Sequence, residues 1–148
     1  MEWIREARVT YTGQRITAPK IRTPEDVAAW ARRIVDDARE CFCAVYLDGR
    51  NQPIAFQRVS VGTATASIVH PREVFQPAVI VGAVAVVLVH NHPSGDAAPS
   101  GEDRTVTRRL RDAGELLGVR VLDHVIVGRP DGPAPFYSFQ EAGELASK

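Results

Sequence analysis

The run Ala83-Val84-Ala85-Val86-Val87-Leu88-Val89 leads straight into His90-Asn91-His92-Pro93-Ser94-Gly95-Asp96. Such a run reads as a buried strand, and it is far too short to span a membrane. Side chains at i and i+2 of a strand share a face, so His90 and His92 can converge on one point at its end. Downstream, Pro99-Ser100-Gly101-Glu102-Asp103 opens a helix. There the Ser100 hydroxyl can cap the first turn and the Asp103 carboxylate can be carried back towards the histidines. Two imidazoles, one carboxylate and an open position filled by water make the ligand set of a catalytic zinc. Taken singly, these residues have plainer readings: a histidine at a strand end satisfies itself with a hydrogen bond, and Ser-x-x-Asp caps a helix. Their joint spacing, with proline and glycine tightening the loop, points to a metal centre held by His90, His92 and Asp103. Capping and ligation are compatible, because the cap would hold Asp103 in place.

The surrounding chain can be divided by its periodicities. Val9 to Ile21 is polar and β-leaning, an edge strand or an arm. Thr23-Pro24-Glu25-Asp26 starts a helix, with Thr23 as N-cap and Pro24 in the first turn, and the stripe Val27, Trp30, Ala31, Ile34, Val35, Ala38 continues it. Cys41 to Leu47 reads as a strand, and Asp48-Gly49 signals a hairpin into Pro53–Val61. A short strand is expected over Thr63–Val69, and a helix from His70-Pro71-Arg72 to about Val81. The metal strand follows, then a helix from Ser100 to about Leu117 stopped by Gly118, and a strand over Val119–Gly128. Pro130 to Pro135 is a turn-rich loop, and Ser138 to Leu145 a short turn of helix. This β-α-β-β-β-α-β-α-β order predicts an α/β fold, a mixed β-sheet flanked by helices. One domain is expected over residues 1–148, its motif-bearing core running from about 23 to 143.

Composition agrees and excludes some functions. With 148 residues and 45% hydrophobic content, the chain can bury one sizeable core. Lys plus Arg and Asp plus Glu stand at 18 each, so net charge gives no bias towards nucleic acid or anionic membrane. The start, Met1-Glu2-Trp3-Ile4-Arg5-Glu6, lacks the apolar core of a signal peptide. Cys41 and Cys43, two apart in a strand, are badly placed to pair with each other. Free thiols without an export signal fit a cytoplasmic protein.

The segment from His90 to Asp96, with Pro99-Ser100 and Asp103, resembles the signature of RadC-type JAB/MPN domains, the bacterial branch of the JAMM metalloprotease fold. The resemblance extends to Val69-His70-Pro71-Arg72-Glu73-Val74-Phe75, to Ala113-Gly114-Glu115-Leu116-Leu117-Gly118 and to Leu122-Asp123-His124-Val125-Ile126-Val127-Gly128. It covers Thr23 to about Gly143. Long RadC proteins carry an N-terminal helix-hairpin-helix region, so a short form without it is expected here. Ala97 stands where proline is common and Thr65 where asparagine is usual. Neither departure removes a ligand.

That resemblance implies one zinc ion and hydrolysis of an amide, as in a peptidase or isopeptidase acting on a peptide or a ubiquitin-like conjugate. Zinc would lower the pKa of its water to roughly 7, and a base must then take the proton. Asn91, between the histidines, cannot serve. The resemblance places a glutamate on an earlier strand, and Glu40 matches that position. Glu73 is the runner-up, but it falls in the first turn of a helix, where a carboxylate complements the dipole without catalytic duty. Ser100 would donate to the developing oxyanion. His124 and Asn91 are candidates to support the ligands from behind, although His124 can equally be a hydrogen-bonded strand residue. His70 reads as a helix-entry residue, and if Glu40 faces the metal the two cysteines are core. Arg104, Arg108 and Arg111 recur along one helix face, ordinarily a solvated one. They are the basis for an alternative, a DNA-repair or recombination accessory that contacts DNA, which the missing aromatic–basic interleaving disfavours. A non-catalytic MPN scaffold is the third reading. Oligomeric state stays open, a dimer included.

Overall fold

The structure, a computed structural model, describes residue 6 and residues 21–35, 38–62 and 69–146. The strand or arm expected over Val9–Ile21 and the strand expected over Thr63–Val69 fall almost wholly outside the described residues, as does Thr65. Within them the order is α1 (Pro24–Ala31), β1 (Cys41–Leu47), β2 (Pro53–Val61), α2 (Pro71–Ile80), β3 (Ala85–Asn91), α3 (Gly101–Leu117), β4 (Arg120–Val127) and β5 (Phe136–Ser138). The strands form one five-stranded sheet in the order β2-β1-β3-β4-β5. β3 and β4 run parallel and the other neighbours antiparallel, so the sheet is mixed and the α/β expectation holds.

Every residue of β1 and β3 is buried. Both strands are central and covered on both faces, which is why they read as continuous apolar runs and not as alternating ones. Alternation is still present in what each residue touches. Phe42, Ala44 and Tyr46 join Val86 and Leu88 against Phe75 of α2 and Leu110 of α3. Cys41, Cys43, Val45 and Leu47 join Val87 and Val89 against Val27 and Trp30 of α1. A fully buried side chain such as Leu110 contributes roughly 1.5–3 kcal/mol relative to exposure.

The termini of α3 follow from local chemistry. Ser100 Oγ accepts the Asp103 N–H at 3.0 Å while the Asp103 carboxylate accepts the Ser100 N–H at 2.8 Å, a reciprocal capping box. Gly118 ends the helix in the left-handed region with φ 71°, which costs glycine nothing. The parallel β3–α3–β4 crossover therefore carries a capped helix N-terminus back towards the end of β3.

Two expectations are corrected. The first helix ends at Ala31, although Ile34 and Val35 still pack on its core cluster. Beyond Ala31 the N–H groups of Arg33 and Ile34 bond three residues back, a tightened turn that suits a β-branched pair better than continued α-helix. The segment after Pro135 contains strand β5, paired with β4 through Val125–Ser138 and Val127–Phe136. The residues that follow, 139–145, form hydrogen-bonded turns and no helix. The β1–β2 hairpin forms as expected, with Asn51 (φ 58°) as the left-handed residue of its loop. The Asp48 carboxylate sets that loop by accepting the N–H groups of Arg50 and Gln52. Among the described residues no helix is long and apolar enough to cross a membrane.

Candidate metal centre

The end of β3 brings together residues from three elements. His90 pairs in register with Phe42 of β1, so Glu40, two residues before Phe42, lies beside the same strand end. The Glu40 Oε1 atom sits 2.6 Å from His90 Nε2. The first turn of α3 delivers Asp103, whose Oδ1 is 3.3 Å from His90 Nδ1 and whose Oδ2 is 3.0 Å from His92 Nε2. The two imidazole rings meet edge to face with centroids 4.8 Å apart, as expected of same-face neighbours. His90 and Asp103 are buried, whereas the side chains of Glu40 and His92 keep 14% and 18% of their surface exposed. The cluster is therefore closed from behind and open on one side.

Among the described residues, Glu40, His90 and His92 are the group whose ligand atoms all lie within 4.8 Å of one another, and they can hold a metal ion. The trio expected from the sequence was His90, His92 and Asp103. The two sets share the histidines and differ in the carboxylate, and both carboxylates face the imidazoles. Nitrogen and oxygen donors in this number suit a borderline divalent ion. Two details support that fit. The His92 Nδ1–H donates to the Asp96 carbonyl at 2.8 Å, which fixes the ring and aims Nε2 into the cluster, as is usual for a metal-ligating histidine. Among the described residues, the buried His90 Nδ1 has no hydrogen bond of good geometry, its neighbour being Asp103 Oδ1 at 3.3 Å.

Electrostatics within the cluster reinforce it. Burial alone would raise the Asp103 pKa, but the His90 and His92 rings and the Ser100 N–H outweigh it and hold the carboxyl well below the usual carboxylate range. Reciprocally, the bond to Asp103 raises His92, against the opposing effect of burial. Asp103 is thus an anion at any ordinary pH. Ser100 is exposed, and its Oγ already accepts from Asp103, so its hydroxyl hydrogen is free to donate outward. Beside it lies a cavity of about 400 Å³ lined by Ser100, Gly101, Glu102, Thr105, Val106 and Arg109.

The remaining candidates separate. Asn91 is buried, accepting the Cys41 N–H at 2.8 Å and donating to the Arg39 carbonyl at 3.0 Å. His124 is fully buried, its Nδ1 2.6 Å from Thr107 Oγ1, its ring stacked on Phe139 at 4.8 Å and 6.0 Å from His90. Thr107 in turn donates to the Asp103 carbonyl. This makes Thr107 and Phe139 supporting residues that the sequence reading missed. The signal for Thr107 was its place four residues after Asp103, where a threonine hydroxyl reaches back to the helix carbonyl. For Phe139 there was no local signal. Glu73 accepts the His70 N–H at 3.1 Å at the start of α2, so the runner-up base and His70 both serve a helix terminus. Cys41 and Cys43 are buried against α1, and burial pushes the Cys43 thiol up to about 12. In the arginine stripe, Arg104 binds Glu144 and the Pro99 carbonyl, and Arg111 binds Asp112 and the Ala146 carbonyl.

Residues 21–144 match the family model described as the RadC-like JAB domain. A UPF0758 protein of Trichlorobacter lovleyi is 46% identical over 140 residues, which cover 90% of this chain and 59% of that protein. A UPF0758 protein of Geobacter sulfurreducens is 51% identical over 131 residues, 88% of this chain and 56% of the relative. One from Rubrobacter xylanophilus is 48% identical over 128 residues, 86% and 54% respectively. The chain spans about half the length of these curated relatives.

Proposed function

This chain belongs to the RadC-like JAB domain family, and from its site we propose that it is a zinc-dependent hydrolase of amide bonds, a peptidase or isopeptidase. The observation that carries the reading is the convergence of Glu40, His90, His92 and Asp103 at one partly open point, with Ser100 on its rim. His90, His92 and Asp103 would hold the ion, whose chemistry is Lewis-acid polarisation and the acidification of water.

The chain's own residues would do the rest. Glu40 would accept a proton and return it to the departing amine; its carboxylate lies within hydrogen-bond reach of His90 and still touches solvent, which supports that role. Ser100 would donate its free hydroxyl hydrogen to the oxyanion that develops on the carbonyl. Thr107 and the capping box hold Asp103, and the Asp96 carbonyl holds His92, so the donors need little reorganisation. The exposed edges of Glu40 and His92 leave the cluster open on one side, in keeping with a peptide or ubiquitin-like conjugate as substrate. The DNA-binding alternative draws little support, because Arg104 and Arg111 are engaged within the molecule.

Elemental analysis of protein prepared without chelator tests the metal, and a panel of peptide and isopeptide-linked conjugates tests the activity. One zinc per chain is expected, lost in His92→Ala and kept in Glu40→Gln. Cleavage should vanish in the first variant and fall roughly 10²–10⁴-fold in the second. Equal zinc in the unsubstituted protein and His92→Ala would refute the ligand assignment. Full activity in Glu40→Gln would refute the base.

A further inference from the structure

Glu40 lies one residue outside β1, yet its carboxylate is held 2.6 Å from His90. Something other than the strand ladder must fix it. On one side the Glu40 carbonyl accepts the Gly62 N–H at 2.9 Å, from the end of β2. On the other side the strand ladder stops, because β3 ends at Asn91 and the chain continues through His92 and Pro93, which has no N–H to offer. The Asn91 side chain fills that place. Its Oδ1 accepts the Cys41 N–H at 2.8 Å and its Nδ2 donates to the Arg39 carbonyl at 3.0 Å. The two bonds bracket Glu40. They also settle the amide's orientation, since an N–H can only donate and a carbonyl can only accept.

We propose that Asn91 is the positioning residue for Glu40: its amide stands in for a neighbouring strand's peptide group and sets the Glu40 carboxylate against the histidine pair. The requirement is a planar group with one donor and one acceptor at that reach. Aspartate supplies only the acceptor, serine and threonine are too short to span both main-chain groups, and alanine supplies neither. Its two bonds go to the residues on either side of Glu40, so Asn91 acts on the chemistry through Glu40. The idea rests on the reading of Glu40 as the base for its effect on rate, but not for its effect on structure.

Asn91→Ala and Asn91→Asp test it, the second retaining the acceptor for Cys41 should the first fail to fold. Amide hydrogen exchange at Cys41, followed by NMR on the zinc-loaded full chain, should speed up in Asn91→Ala and stay slow in Asn91→Asp. Zinc content should remain that of the unsubstituted protein in both. With the conjugate that the unsubstituted protein cleaves, kcat should fall roughly 10–100-fold in Asn91→Ala, the usual penalty for losing an outer support, with KM nearly unchanged. In a Glu40→Gln background the same substitution should cost nothing further, because its only route to the chemistry is already cut. Unchanged exchange at Cys41 in Asn91→Ala would overturn the proposal whatever the protein cleaves, and so would an equal rate loss in both backgrounds. Absence of zinc and of all cleavage in the unsubstituted protein would instead overturn the hydrolase reading, and the Cys41 exchange would still decide for or against the bracket.

Discussion

Mild acid should weaken this fold through His124 before it reaches the carboxylates. The imidazole is fully buried, with Phe139 stacked on it and Phe42 and His90 beside it. Burial is the largest influence on it and the field of His90 the next, and together they pull its pKa from the usual 6.5 down to about 3. The unfolded chain therefore binds a proton below about pH 6.5 that the folded chain refuses until about pH 3. Stability must fall as pH falls through that window. One proton is worth about 1.4 kcal/mol per pH unit, so His124 alone should remove roughly 2–3 kcal/mol between pH 6.5 and 4.5. The other shifted groups of the cluster do not mimic this. His92 is raised, so its contribution is complete below its unfolded value and is lost only as pH rises. Asp103 is depressed, so its contribution is lost only below about pH 4. Asp123, raised by burial, works in the opposite direction. Urea unfolding at pH 7.0, 6.0, 5.0 and 4.5 (arbitrary set points, about half a unit to one unit apart) in chelator should be compared between the unsubstituted protein and His124→Phe. Asp123 is common to both, and phenylalanine can keep the stack on Phe139. The two stability curves should converge or cross towards acid, with the slope missing from His124→Phe. Parallel curves would refute the account of a neutral, buried His124.

Ser100→Ala removes both a helix cap and the proposed oxyanion donor. Thermal melts should show a loss of about 0.5–2 kcal/mol, and turnover at matched folded fractions should fall roughly 10²–10³-fold; a melt change with full turnover would leave Ser100 only its cap. Gly114→Ala should destabilise by about 1–3 kcal/mol despite a helix-propensity gain of about 1 kcal/mol. A Cβ there would come within 2.4 Å of the Val119 carbonyl and 3.1 Å of Phe75. A neutral or stabilising result in denaturant titrations would contradict the close approach of α3 to the start of β4.

What the sequence revealed about the site was what local rules can carry. Alternation along a strand put His90 and His92 on one face, and a capping box placed Asp103 on the first turn of α3, both without knowledge of the sheet. Glu40 was different. It lies fifty residues before His90, and only the antiparallel pairing of Phe42 with His90 brings the two together, so it was reached through a family resemblance and not through spacing. Strand β5 was hidden for the same reason: three residues, Phe136–Ser138, carry too little pattern to be read alone and exist as a strand because β4 offers them an edge. Asn91 marks the boundary most clearly. As a residue type it could be rejected as a base, but its use depends on where β3 ends relative to β1, a register that no local period encodes. Local chemistry thus supplies the donors of this centre, and pairing between distant strands decides which of them meet. The parts that escaped the sequence, Thr107 and Phe139, and the particular contacts of Asn91, which was named only as a support, run to a main-chain group or ring placed by that pairing.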